Sequence, residues 1–257
     1  MTVVDRPVEP LRPLYDRTPD SIRLLAGRAS LDFQSREVTA TTYPSRVQLA
    51  REVLEWAGHA FGDKLTVASS MGDTVLIHLA GVAIPGVDVF FIDTGYHFAE
   101  TLGTRDAYGV MLPLLIRTIA PRQSVAEQDS EHGSRLFERE PDRCCALRKV
   151  EPLERALVDR QAWVSGLRRA DAVTRTGVEL VGWDVKRAIA KLNPIAAWTD
   201  EDVERYTAEN AVFENPLKQI GYASIGCAPC TRPVRPGEDP RAGRWAGRAK
   251  VECGLHA

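Results

Sequence analysis

Apolar positions along the chain recur with two different periods, and the switches between them lay out the fold. From residue 21 to about residue 60 the spacing is helical. After Pro44 and Ser45, the residues Val47, Leu49, Ala50, Val53, Leu54 and Ala57 fall on one helix face. Residues 1–20, which contain Pro7, Pro10, Pro13 and Pro19, read as a mobile lead-in. The pattern then shortens. Lys64–Ser69 is a β-rich run, Ser70-Met71-Gly72-Asp73 a polar turn, and Thr74–Ala80 a helix. Val87–Ile92 reads as a second strand, ending in the turn Asp93-Thr94-Gly95 and followed by helical spacing from Phe98 to Tyr108. The apolar run Val110–Ile116 reads as a third strand, Ser124–His132 and Cys144–Leu157 as helices, and Ala162–Leu167 as a fourth strand. Thr199 followed by Asp200, Glu201 and Asp202 is an N-cap with an acidic first turn, opening a helix to about Glu209. Beyond Phe213 regularity fades.

Strands that alternate with helices predict an α/β fold: a mostly parallel central sheet covered by helices on both faces. In such sheets ligands sit at the carboxyl ends of the strands. Ser69-Ser70-Met71-Gly72-Asp73 lies at one of those ends and opens a helix, where backbone N–H groups and hydroxyls suit an anion. The turn lacks the lysine of a Walker-type loop. It is similar to the shortened PP-loop of the adenine-nucleotide α-hydrolase-like superfamily, although it lacks the fuller Ser-x-Gly pattern of many relatives.

Composition changes this picture little. The chain has 257 residues, 44% apolar and 26% charged, with a net charge of −2. No global basic field recruits nucleic acid, so anion binding must come from local clusters. No apolar run approaches the roughly 20 residues of a bilayer span. Met1–Pro13 carries Asp5 and Glu9 and lacks the apolar stretch of a secretory signal. Five cysteines without an export signal point to a reducing cytoplasm and to thiols kept for chemistry or metal.

The cysteines carry the sharpest signal. Cys144-Cys145 is an adjacent pair, and Cys227-Ala228-Pro229-Cys230 is a CxxC in an irregular stretch. Four converging thiolates can hold an iron–sulfur cluster or zinc, or can work as a redox dithiol. Adjacent cysteines diverge, which suits the separate iron corners of a cluster better than one small ion. The fifth, Cys253, stands near the end of the sequence, where a thiol can swing, attack and meet a partner protein. Lys149 shares a helix face with Cys145. Arg168, Arg169 and Arg175 follow the fourth strand, and Arg241 and Arg244 flank a glycine. Each alone is an ordinary surface charge; together they suggest an anion pocket of arginine forks.

Cys144-Cys145, Cys227-Ala228-Pro229-Cys230, Arg241-Ala242-Gly243-Arg244-Trp245 and Glu252-Cys253-Gly254-Leu255-His256, together with Asp93-Thr94-Gly95-Tyr96-His97-Phe98-Ala99-Glu100-Thr101, resemble the assimilatory adenylyl-sulfate reductases, the iron–sulfur branch of their family. The resemblance spans roughly residues 45–257. It implies a lead-in and helical segment at 1–44, a nucleotide-binding α/β reductase domain with an iron–sulfur site at 45–235, and a flexible segment bearing the catalytic cysteine at 236–257. It implies a [4Fe-4S] cluster on Cys144, Cys145, Cys227 and Cys230. It implies attack by Cys253 on the substrate's sulfur, an S-sulfocysteine intermediate, and release of sulfite by thioredoxin. Lys149, Arg241, Arg244 and His256 would neutralise the phosphosulfate; Ser69, Ser70, Ile92, Gly166, Arg168 and Arg175 would contact the nucleotide. The two cysteine pairs favour adenylyl over phosphoadenylyl sulfate, whose extra phosphate a residue such as Arg169 could serve. Competing readings are a reductase of phosphoadenylyl sulfate or of both substrates, a tRNA sulfur-transfer enzyme and an iron–sulfur sensor. A homo-oligomer is compatible with all of them.

Overall fold

A computed structural model describes residues 17–248, 250 and 252–255; the rest of the expected lead-in, through residue 16, lies outside the described residues. Two helices open it, α1 (Pro19–Thr39) and α2 (Tyr43–Phe61). Each begins on a threonine whose hydroxyl accepts a backbone N–H three residues on, and each has proline in its first turn, where no N–H partner is lost. Then follow β1 (Leu65–Ala68), α3 (Val75–Ala83), β2 (Asp88–Ile92), α4 (Ala99–Met111), β3 (Leu115–Ile119) and α5 (Val125–His132). The short helix α6 (Leu136–Arg139) leads into α7 (Pro141–Cys145), which runs through a π-turn at Ala146–Val150 into α8 (Glu151–Ala156). Strands β4 (Ala162–Val164), β5 (Val181–Asp184) and β6 (Ile189–Leu192) and helix α9 (Asp200–Glu209) complete the regular elements.

The sheet has the order β3-β2-β1-β4-β6-β5. All neighbours are parallel except β5, which returns antiparallel along β6. Alternate side chains serve opposite faces. Val89, Phe91, Ala162, Val164, Ala190 and Leu192 join the main core with α1, α2 and α3. Phe90, Trp163 and Ile189 form a second, smaller core with Leu153, Ala156 and Leu157 of the α8 region. Helix α1 belongs to the main core through Ile22, Ala26, Ala29 and Phe33.

Three boundaries depart from the sequence pattern. The expected strand Val110–Ile116 is not one element: Val110 and Met111 end α4, and the strand is Leu115–Ile119. Pro113 inside that apolar run has no N–H to donate to a ladder, so the run divides there. Its carbonyl instead accepts from Gly86 at 2.6 Å. The fourth strand stops at Val164 rather than Leu167. The β5–β6 hairpin gave no periodic signal, because charged Asp184, Lys186 and Arg187 interrupt its short apolar runs.

The strand order reverses between β1 and β4. The chain first steps outward from β1 to β2 and β3, then returns to lay β4 on the other side of β1. That switch point opens a crevice at the carboxyl ends of the parallel strands.

Candidate active site

Four of the candidate nucleotide contacts fall on this edge. Ser69 and Ser70 follow β1, Ile92 ends β2, and Gly166 follows β4, the three strands lying side by side. Ser69 Oγ accepts from Met71 N at 3.3 Å, Ser70 Oγ from Gly72 N at 3.4 Å, and Asp73 Oδ1 from Val75 N at 3.0 Å, so the turn tightens into α3. A Cβ on Gly72 would stand 3.0 Å from the Ile225 carbonyl, so glycine lets the later loop cross closely there. His97, buried by the same edge, bonds through Nε2 to the Ile92 carbonyl at 2.9 Å. Burial pushes its pKa below the ordinary value, against the Ile92 bond and Asp93, which raise it.

The four paired cysteines meet beneath the edge. Cys144, Cys145 and Cys227 are buried, Cys230 is half-buried, and none is in a disulfide. Cys230 N bonds Cys227 O at 2.9 Å, and Ala228 N bonds Tyr96 O at 2.7 Å, tying the CxxC turn to the loop after β2. Thr94 Oγ1 lies 3.3 Å from Cys227 Sγ. Burial, reinforced by Cys145, Cys227 and Cys230, pushes the Cys144 thiol up to about 12. Burial likewise raises Cys145 and Cys230. Among the described residues no three His, Cys, Asp or Glu side chains close on one point as a single ion requires. Thiolates around one zinc stand within about 4 Å of each other. Four thiols, with no imidazole or carboxylate named among them, are in their chemistry the donor set of an iron–sulfur group.

Cations surround this set. Lys149 lies one helical turn past Cys145. Burial works against its charge, Cys227, Cys253 and Cys145 outweigh that, and its pKa is raised. Arg148 stands in the same relation to Cys144. It is buried, donates to the Thr94 carbonyl and, at 3.2 Å, to Gln128 Oε1, and lies 5.3 Å from the Tyr96 ring. Arg148 is not among the residues the sequence pattern singles out, although its four-residue step from Cys144 is as visible as that from Cys145 to Lys149; Thr94 is marked only as part of its turn and motif. Arg244 stacks on Trp245 at 4.6 Å and donates to Ser224 Oγ at 3.3 Å, while its Nε is buried without a partner. Burial, helped by Arg241 and opposed by Cys253, Cys227 and Cys230, lowers its pKa. Gly226 makes room for it, since a Cβ there would overlap the Arg244 guanidinium. The pairing of Thr231 with Arg244, and the Trp245 N to Cys230 O bond at 3.0 Å, hold the arginine loop to the CxxC turn.

The last described residues lie across this ground. Cys253 is partly exposed and within electrostatic reach of Lys149, Arg244 and Cys145. Glu252 receives two hydrogen bonds from Arg175, both at 3.1 Å, and pairs with Arg241 at 3.2 Å. Leu255 packs against the second core. Arg175 also holds Asp171 at 2.9 Å, which in turn holds Arg168 at 2.7 Å; Arg168 Nη1 is buried without a partner. Cys253, Lys149, Arg244, Arg241 and Arg175 thus come together beside the four cysteines, with Arg168 joined through Asp171. His256 lies outside the described residues. Glu252 was not singled out in the sequence except as part of its motif.

The phosphoadenosine phosphosulfate reductase domain family matches residues 64–233. The chain is 54% identical over 241 residues to an adenosine 5'-phosphosulfate reductase of Streptomyces coelicolor, covering 94% of this chain and 97% of that protein. To the protein of the same name from Mycobacterium tuberculosis it is 49% identical, covering 81% and 89%. Among solved structures, a phosphoadenylyl-sulfate reductase from Candida auris, in a phosphate complex, superposes with a TM-score of 0.60 at 30% identity, over 72% of this chain and 90% of that one. A Candida glabrata FMN adenylyltransferase, at 12% identity and a TM-score of 0.52, shares the fold.

Proposed function

The chain belongs to the phosphoadenosine phosphosulfate reductase family, and from that footing we propose how it reduces adenylyl sulfate in sulfate assimilation. The observation that carries the reading is the seating of the Cys253 segment: Glu252 is held by Arg175 and Arg241, and Leu255 packs against the second core, which sets the thiol among the basic residues. The Cys253 thiolate attacks the sulfur of the sulfonucleotide. A sulfur–sulfur bond forms, the sulfur–oxygen bond to the phosphate breaks, and AMP departs with the electron pair. Lys149, Arg241, Arg244 and His256 balance the charge that gathers on the bridging oxygen and the sulfate. Ser69, Ser70, Ile92, Gly166, Arg168 and Arg175 seat the nucleotide.

The S-sulfocysteine on Cys253 is then attacked at its Sγ by a thiol of thioredoxin or a similar dithiol. Sulfite leaves, and the partner's second thiol resolves the mixed disulfide, so two electrons pass from dithiol to sulfur. Cys253 is partly exposed, which leaves the thiol open to a bulky partner. Segment 236–257 serves as its carrier. Cys144, Cys145, Cys227 and Cys230 would hold a [4Fe-4S] cluster. Such a group, when bound, supplies structure and a local field beside Lys149 rather than electrons for the net reaction.

Adenylyl sulfate is favoured over its phosphorylated analogue on the strength of the two cysteine pairs. Arg169, the residue that could serve an extra ribose phosphate, is engaged elsewhere, donating to the Val178 carbonyl at 2.7 Å and forking onto Glu37 of α1. The chain works in the cytoplasm on this reading; no helix among the described residues is long and apolar enough to cross a membrane. The test is sulfite release by anaerobically purified protein with reduced thioredoxin, offered each sulfonucleotide separately. Release from adenylyl sulfate alone is the expected result. Equal rates would remove the substrate preference, and no sulfite from either would remove the reading.

A further inference from the structure

The Glu252 carboxylate sits where an anionic substrate should. Its two oxygens take the Nε and Nη2 edge of Arg175, and one of them also meets Arg241. Arginine offers the same planar fork to carboxylates and to phosphate or sulfate oxygens. The remaining Nη1 of Arg175 is committed to Asp171 at 2.9 Å. The edge that an incoming anion needs is therefore the edge Glu252 covers. The two arginines come from separate stretches of chain, and the tail carboxylate bridges them. Its side chain keeps 31% of its surface exposed, so it can return to water without a large penalty.

We propose that Glu252 is a built-in place-holder for the substrate's phosphosulfate. In the empty enzyme it neutralises Arg175 and Arg241 and parks Cys253 beside Lys149; the more highly charged substrate displaces it and takes both guanidinium groups. This rests on the reading of those arginines as anion-binding residues. Neighbouring Cα atoms are about 3.8 Å apart, so the Glu252 ion pairs tether Cys253 and their release frees it. Gly254, at φ +75°, supplies a pivot, and Leu255 stays anchored against the second core. Loss of the ion pair thus lets the thiol swing. An internal competitor also lowers apparent affinity by the fraction of time the seat is taken, which eases product release.

The proposal predicts a gain on mutation, which a merely structural role would not give. In a Cys253→Ser background, where turnover is blocked, binding of adenylyl sulfate and of AMP is measured by calorimetry with Glu252 intact, as Glu252→Gln and as Glu252→Ala. Both substitutions are expected to tighten binding about threefold to tenfold, the low range for charge-assisted pairs that are partly exposed. Unchanged or weaker binding in both variants overturns the place-holder alone. Failure of Cys253→Ser itself to bind adenylyl sulfate overturns the proposed function and the place-holder with it.

Discussion

A lysine withdrawn from water ordinarily sheds its proton, yet Lys149 keeps it, because Cys227, Cys253 and Cys145 supply more than burial takes away. Replacing it with alanine should lower kcat/KM about 10²- to 10³-fold, as for loss of one group aimed at developing charge, while iron content holds; steady-state kinetics and iron analysis check both. Cys253→Ser should abolish sulfite release and spare nucleotide binding. The paired thiols make a prediction about pH. Cys144 keeps its proton to about 12 in the folded state, against an ordinary value of 9.0. Its contribution to the stability of the metal-free protein is therefore complete below about pH 9 and lost as pH rises toward 12. Urea midpoints of metal-free protein should fall across that window, and less steeply in Cys144→Ala. The cysteine pairs and the basic residues were legible because their chemistry is tied to residue type and spacing. What Arg148, Thr94 and Glu252 bind was not, because those partners lie 54, 133 and 77 positions away.

Elements are held in register by pairings that sequence periodicity marks only at one end. Thr199 and Asp202 read from the sequence as the start of α9, and they cap it reciprocally at 2.9 and 3.1 Å. The same Asp202 carboxylate also receives Arg46 of α2 in two bonds of 2.7 Å, with 3% of its side-chain surface exposed. Asp202→Asn strands a largely buried guanidinium and should cost about 3 kcal/mol in urea unfolding with the slope unchanged. Burial raises the Asp202 pKa, but Arg46 and Thr199 more than offset it, so it ends below the ordinary 3.8. This contribution is present above pH 4 and is lost as pH falls through the lowered value. Helices announced themselves through caps and a 3.6-residue period. Strands of three to five residues did so less surely. Pro113 displaced β3, and a hairpin of two four-residue strands carried too little pattern to be seen.

At the scale of the whole molecule, the alternation of strands and helices was enough to predict a parallel sheet with both faces covered. It did not reveal that α1 is a layer of the main core rather than an appendage. Ile22, Ala26 and Phe33 are each no more than 3% exposed, and α1 packs on β5 and β6. A chain that begins at residue 42 should therefore expose apolar sheet surface and melt well below the full protein in a thermal scan, or fail to stay in solution. An unchanged melting temperature would show the layer to be dispensable. The order of parts along the sequence has a further consequence. The sheet is finished at Leu192, whereas Cys227, Cys230 and Cys253 all come later. A chain made from its first residue onward can pack its interior while Cys144 and Cys145 are the only thiols it possesses. A half-made molecule then has a scaffold but no nucleophile and only half a ligand set, so the reactive sulfur chemistry is added last, to a frame already closed against it.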